Sequence, residues 1–314
     1  RFGARAVLLV GGLCLTCAMV ASALATSWVM LALAQAIAGL AGGVMLPAIY
    51  TVATTTGSQE EGSRMLGRVL AGWSVSLIAG VPLSALIAER FGWQASFLSL
   101  SALVATSLVG FWAMPRLDND TRPQKARNPF AVLALPGIVP LLLVQFLFMT
   151  AFYGTYAFFG DHLRTSLGLS AGMAGLVVLF YGIGFGIAAT ADGIVDRVGP
   201  VKALPYAMTF VAIAYGIMPF MATSLIGALV AASLWGFANH FVLNVIVLRL
   251  SRIGGTQRGA VLGLNSAITY FGALVGALGE LYANLGFSGL AWGGATCVCL
   301  ALGVIIAQGR DAQA

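Results

Sequence analysis

Apolar residues run along this chain in long unbroken stretches, and polar residues are confined to short punctuation between them. Ten such stretches occupy 6–25, 28–54, 66–88, 93–114, 136–159, 171–190, 202–221, 224–248, 259–281 and 287–307. A helix needs about 20 apolar residues to cross a hydrocarbon core roughly 30 Å thick, and each stretch reaches that length. The strands of a membrane barrel would need only about ten residues in strict alternation, and these runs do not alternate. The first run is too long for the apolar region of a secretory signal and leads to no small-residue cleavage site and no soluble domain, so it is expected to remain in the membrane. The predicted fold class is therefore an all-α integral membrane protein with ten transmembrane helices.

Composition agrees with that pattern. Of the 314 residues, 60% are hydrophobic and 8% are charged, against about 25% charged in an ordinary soluble domain. The formal net charge of +6 would suggest a nucleic-acid partner in a soluble protein, but here the basic residues sort by side of the bilayer. Once ten spans are threaded, only Arg90 and Arg164 of the sixteen Lys and Arg residues fall on one side. The rest share the other side, and the positive-inside rule makes that side the cytoplasm. Both chain ends are expected in the cytoplasm, in a multi-pass protein of the cell (inner) membrane, with the lipid bilayer as surroundings and no nucleic acid as partner. Asn119-Asp120-Thr121 has the form of a glycosylation acceptor but falls on the cytoplasmic side, so it should stay unmodified.

The longest hydrophilic segment, PRLDNDTRPQKARNP at 115–129, divides the chain into four spans and six. The two parts share landmarks. RFGARAVLL at the start matches DRVGPVKAL at 196–204 through Arg1 and Gly3 against Arg197 and Gly199. RFGWQASF at 90–97 matches NLGFSGLA at 284–291, and Arg64 matches Arg258 at the same spacing as Gly92 and Gly286. Such recurrence indicates two parallel copies of one unit. The second copy has two helices ahead of its Asp-Arg-x-Gly turn, whereas the first begins inside the turn. The expectation is a chain lacking the first two of twelve helices, with 1–114 the remainder of an N-terminal bundle, 115–129 a cytoplasmic linker and 130–314 a C-terminal six-helix bundle.

Small residues four apart allow close helix approach in lipid, and Gly39/Gly43, Gly182/Gly186 and Gly272/Gly276 are expected to do so. Pro82 removes one backbone hydrogen bond and permits a bend near Gly80. Cys14-x-x-Cys17 lies in an apolar run without further metal-ligand spacing, and YGIGFGIAA at 181–189 follows no strand. Neither metal nor dinucleotide binding is expected from them, and the chain is read as having no cofactor. HExxH is absent, as is a convergent Ser/His set, so an enzyme is not expected.

Polar side chains at membrane depth are costly and commonly functional. The eighth span carries Gly236, His240 and Asn244 on one stripe, with Asn239 adjacent. The ninth carries Asn265 and Thr269 with Tyr270 beside them, the fifth Gln145, Tyr153 and Tyr156, and the third Ser74 and Ser76. Among the acids, Glu280 falls inside the ninth span near its outer end, whereas Glu89, Asp161 and Asp192 fall at span edges. A proton-coupled carrier needs a group that titrates during its cycle, which leaves Glu280 and His240 as candidates.

Three stretches resemble the major facilitator superfamily. The turn with Asp196, Arg197, Gly199 and Lys202 is similar to that family's cytoplasmic loop signature, although Asp192 stands at a glycine position, and Arg1, Gly3 and Arg5 are what the first half retains of it. The third span, GWSVSLIAGVPLSALIAERFGW, resembles the antiporter motif of the efflux branch through Gly72, Gly80 and Pro82, with Ser84 and Ala85 at glycine positions. AQAIAGLAGGVMLPA in the second span is similar to the proton-linked motif, with Gln35 at its Arg position. The resemblance implies a monomeric secondary transporter of bacterial drug or sugar efflux type whose partners are a small-molecule solute and protons. It also implies that the third, fifth, eighth and ninth spans line a cavity, making Ser76, Gln145, Tyr153, Tyr156, Asn239, His240, Asn244, Asn265 and Thr269 cavity candidates. The gating loops would carry Arg1, Gly3, Arg5, Asp196, Arg197 and Gly199. An aromatic and amide lining suits a neutral or amphipathic solute. Proton-coupled export is the expected activity, with uptake by the same fold as the alternative.

Overall fold

A computed structural model describes residues 4–55, 65, 69, 72, 75–114 and 129–311. Arg1, Gly3, Arg64, Arg68, Ser74 and nearly all of the expected linker lie outside the described residues, as do the side chains of Asp196, Arg258 and Glu280. Among the described residues there is no strand, and nine helices are long and apolar enough to cross a membrane. The expected 66–88 span is described chiefly at its C-terminal part.

The chain separates into two compact units, Arg1–Ala126 and Arg127–Ala314. In the first, α1 (Ala4–Ala23) lies between α2 (Trp28–Thr55) and α4 (Trp93–Ala113), and α3 (Val81–Phe91) packs on α4. Gly11 makes room for the Met45 side chain and Gly12 for Leu108. Among the described residues, no atom lies within 4 Å of a Cβ built on Gly39 or Gly43, the expected packing face. The small-residue contact is made from α1 instead, where Leu8, Ala18 and Met19 are buried.

Directly before α3 the backbone forms one π turn, Ser76–Gly80, with the Val81 amide donating to the Ser76 carbonyl. Pro82 follows immediately. Its ring would press on the carbonyl four residues back and it has no N–H to donate, so the ladder widens ahead of it. Among the described residues a Cβ built on Gly80 would meet only Ser76 of its own turn, and one built on Gly72 would meet no atom within 4 Å.

The second unit contains α5 (Ile138–Leu167), α6 (Ala171–Ala189), the short α7 (Gly193–Val198), α8 (Pro200–Met221), α9 (Leu225–Gly254), α10 (Arg258–Gly276) and α11 (Glu280–Asp311). Helix α9 touches α6, α8, α10 and α5, while α11 closes the bundle by packing on α5 and α8. Its core includes Phe148, Leu204, Met208, Tyr215, Trp235 and Ile246. Asp196 and Arg197 lie on α7, a helical turn where a plain loop was expected, and Arg197 is exposed.

Three glycines make the sharp turns. Gly92, Gly199 and Gly286 have φ of 86°, 85° and 63° with ψ of 157°, 142° and −163°, a conformation open essentially to glycine alone. Gly92 separates α3 from α4, and Gly286 breaks α11 where the sequence places a span start. Gly92 and Gly286, which recur between the two halves, thus share one backbone geometry. Elsewhere helices outrun their apolar stretches: α5 continues to Leu167 rather than ending at 159, and α9 to Gly254 rather than 248. Glu280, expected within the ninth span, instead begins α11, because α10 ends at Gly276 and Gly279 turns the chain at φ 74°.

Candidate functional site

Two close helix contacts bring the polar residues of the second unit together. A Cβ on Gly184 of α6 would fall on the Ser233 carbonyl of α9, and one on Gly236 of α9 would fall on the Tyr181 carbonyl of α6. The two helices therefore touch backbone to backbone. The operative glycine of α6 is Gly184 rather than Gly186, whose surroundings are open. On the other flank Gly272 and Gly276 of α10 meet the Phe146 and Thr150 carbonyls of α5, the close approach that their spacing implied.

The α6 and α9 contact aligns a polar seam. Asn239 Nδ2 donates to the Tyr181 hydroxyl at 3.2 Å, fully buried. One residue on, His240 Nε2 lies 2.8 Å from Asp192 Oδ1. Asn244 Nδ2 donates to the same Oδ1 at 2.7 Å. Asp192 sits just past the end of α6 with its side chain 41% exposed, whereas the imidazole is 11% exposed. The stripe Gly236, His240, Asn244 faces α6 of its own unit, so these residues are engaged between helices. Phe185 packs edge-on to His240 with ring centroids 4.7 Å apart.

The α5 and α10 contact holds a second polar pair. Gln145 Nε2 donates to the Thr269 hydroxyl at 2.8 Å, and that hydroxyl donates to the Asn265 carbonyl at 2.9 Å. Tyr270 beside them is exposed. Aromatic rings join the two seams: Phe152 of α5 contacts Tyr153, Tyr156, Tyr181 and Trp235 at centroid distances of 4.9 to 5.6 Å. Tyr153 and Tyr156 are half-buried at its edge. Within this ensemble Gln145 Oε1, Asn239 Oδ1, Asn265 Oδ1 and His240 Nδ1 are buried without a hydrogen-bond partner among the described residues.

Other candidates stand apart. Ser76 is exposed in the π turn of the first unit. Also in that unit, Gln35 Nε2 donates to the Ser22 hydroxyl at 2.8 Å, and the Arg5 guanidinium donates to the Trp112 carbonyl. Gly199 forms the turn between α7 and α8. At the opposite end of the second unit from Asp192, the Tyr282 hydroxyl donates to Asp161 Oδ2 at 2.7 Å, and His162 stacks on Phe287. Sequence reasoning missed Tyr181, which lay inside a glycine pattern dismissed as a nucleotide motif, and Asp192, set aside as an edge acid. The signal available for Asp192 was its departure from the glycine of the loop signature.

Such an ensemble is the inside of a polytopic helical membrane protein. The family model for the Major Facilitator Superfamily matches residues 1–277, and the chain belongs to that superfamily of transporters; it is not an enzyme. It is 25% identical to an uncharacterized MFS-type transporter, YwfA, of Bacillus subtilis strain 168, over 97% of this chain and 75% of that protein. It is also 25% identical to the inner membrane transport protein YdhP of Escherichia coli K12, over 93% of this chain and 76% of the relative. A chloramphenicol efflux pump, MT0201 of Mycobacterium tuberculosis, is 26% identical over 88% of this chain and 70% of its own.

Proposed function

We propose that the protein exports a small neutral or amphipathic solute from the cytoplasm across the inner membrane, as a monomer with both ends cytoplasmic, by proton-coupled alternating access. The observation that carries this reading is the set of buried acceptors without partners, Gln145 Oε1, Asn239 Oδ1 and Asn265 Oδ1, beside the rings of Phe152, Tyr153 and Tyr156. A buried polar atom left unpaired costs about 1–3 kcal/mol, a cost relieved when a solute hydroxyl or amide N–H arrives. Aromatic faces and amides without a cluster of fixed charge suit an uncharged, partly apolar molecule. The name of the mycobacterial relative, a chloramphenicol efflux pump, describes a molecule of that character. Asp196, Arg197 and Gly199 belong to the gating loop of the second half in this reading, and Arg1, Gly3 and Arg5 to that of the first.

Uptake by the same fold is the second reading, favoured by the neutral Gln35 held by Ser22 at a position where the resemblance calls for a cation. Vesicles from cells expressing the full-length protein separate the two, with radiolabelled chloramphenicol and a panel of uncharged antibiotics and sugars as probes. Export predicts accumulation in inverted vesicles that stops when the pH gradient is collapsed. Accumulation confined to right-side-out vesicles overturns it.

A further inference from the structure

The three side chains Asp192, His240 and Asn244 meet at one oxygen, and that fixes the chemistry of the imidazole. Asp192 Oδ1 receives the amide N–H of Asn244 at 2.7 Å, and an ionised carboxylate accepts from both neighbours, with no proton to give His240. The 2.8 Å contact to His240 is therefore an N–H of Nε2 donating to the carboxylate. A neutral imidazole protonated at Nε2 is bare at Nδ1. That nitrogen is buried and without a partner.

We propose that His240 Nδ1 is the atom that holds the coupled proton, and that Asp192, clamped by Asn244, is the residue that positions the ring and supports its charged form. This rests on the proton-coupled reading above and names the site at which the coupling would occur. Loading adds one proton to Nδ1 and takes the pair from one net negative charge to none; release returns it. The carboxylate fixes the tautomer and faces the imidazolium across a charge-assisted bond, the role an aspartate plays beside a catalytic histidine. Nδ1 itself is buried in this conformation, so direct exchange of a proton between that atom and water requires α6 and α9 to change their contact.

Among the described side chains, the other ionisable groups are exposed, bonded or packed elsewhere, Arg197 of α7 being exposed, and the side chains of Asp196 and Arg258 lie outside the described residues. On α6 the other group is Tyr181, bonded to Asn239. On α8, Lys202 and Tyr206 are exposed, while Tyr215 packs on Trp235. On α5, Tyr153 and Tyr156 pack on Phe152, Asp161 bonds Tyr282, His162 stacks on Phe287, and Arg164 is exposed in the last turn. Tyr270 of α10 is exposed. On α9 itself Arg252 is exposed, and Arg249, nine residues beyond His240 and five beyond Asn244, is half-buried with its Nη1 unpaired among the described residues.

The chain has only two histidines, which makes the test direct. In the full-length protein labelled with ¹⁵N-histidine in detergent micelles, His162→Gln assigns the His240 signals. At neutral pH the bare nitrogen is expected to be Nδ1, gaining a proton as the sample is acidified. Asp192→Asn should abolish the tautomer preference, and Asp192→Glu should keep it. In vesicles where the wild type shows gradient-driven transport of chloramphenicol, Asp192→Asn and His240→Gln should lower it about tenfold, with Asp192→Glu recovering part. A bare Nε2, or a spectrum indifferent to Asp192→Asn, overturns the proposal even if transport is proton-coupled. So does full gradient-driven transport in both variants at equal expression. A wild type whose transport ignores the pH gradient, with the NMR result as expected, overturns the proton-coupled reading instead.

Discussion

Replacing Gly184 by alanine tests the packing on which the whole polar seam depends. A Cβ there would lie 2.7 Å from the Ser233 carbonyl carbon and 2.9 Å from its Cα, where ordinary contact begins at 3.4 Å. Backbone cannot swing aside as a side-chain tip can, and the Ser233 carbonyl oxygen is nearer still, so α6 and α9 must part by more than about 1 Å to relieve the overlap. The same movement would carry the Asn239 to Tyr181 bond, now 3.2 Å, beyond hydrogen-bonding distance and stretch the His240 to Asp192 contact. Overpacking costs about 1–3 kcal/mol, and each interhelical hydrogen bond lost in a membrane bundle adds about 0.6 kcal/mol. A total of roughly 2–3 kcal/mol lowers the melting temperature of a body this size by roughly 5–10 °C. Thermal unfolding of the purified protein in detergent reads the shift. Gly186→Ala is the matched control, one helical half-turn away in open space, and should leave the midpoint unchanged or raise it slightly. Equal melting of Gly184→Ala and wild type, or equal loss in both variants, would refute the backbone contact.

Gly286→Ala should destabilise by about 1–3 kcal/mol through backbone strain alone, since its surroundings are open; the same melting assay reads it, and unchanged stability would mean that α11 runs unbroken through this residue. Thr269→Val removes the acceptor of Gln145 without changing shape and should cost about 0.5–1 kcal/mol, with Thr269→Ser recovering most of it in an SDS unfolding titration.

How much of this was legible in the sequence depended on the range of the interaction. Spans were read well because a run of 20 apolar residues is a local fact with one physical meaning in a bilayer. Their ends were read less well. Asp161, His162 and Arg164 looked like a loop after 159, yet α5 continues through them, because Tyr282 and Phe287 of α11 provide partners that lie far away in sequence. The glycines show the same limit. Gly182/Gly186 has the spacing of a packing face, but spacing does not say which glycine meets a neighbour: Gly186 stands in open space, and Gly184 with Gly236 makes the backbone contact. His240 and Asn244 were singled out as polar residues on one stripe. Their common partner was missed because Asp192 lies in a turn, where an acid is unremarkable until the fold brings it against α9.

The π turn at Ser76–Gly80 bears on how this chain should be compared with others. Removing one residue from an α-helix rotates everything beyond it by about 100° and moves every lipid-facing side chain to a new direction. A π turn absorbs one extra residue within itself, so the faces on either side already sit as they would in a helix one residue shorter. A relative without a proline at the position of Pro82 has no need of the wider turn and can lack that residue with both faces intact. Comparisons of this span should therefore allow a single gap inside 76–80. An ungapped alignment would set positions about 100° apart around the helix against one another over all of α3.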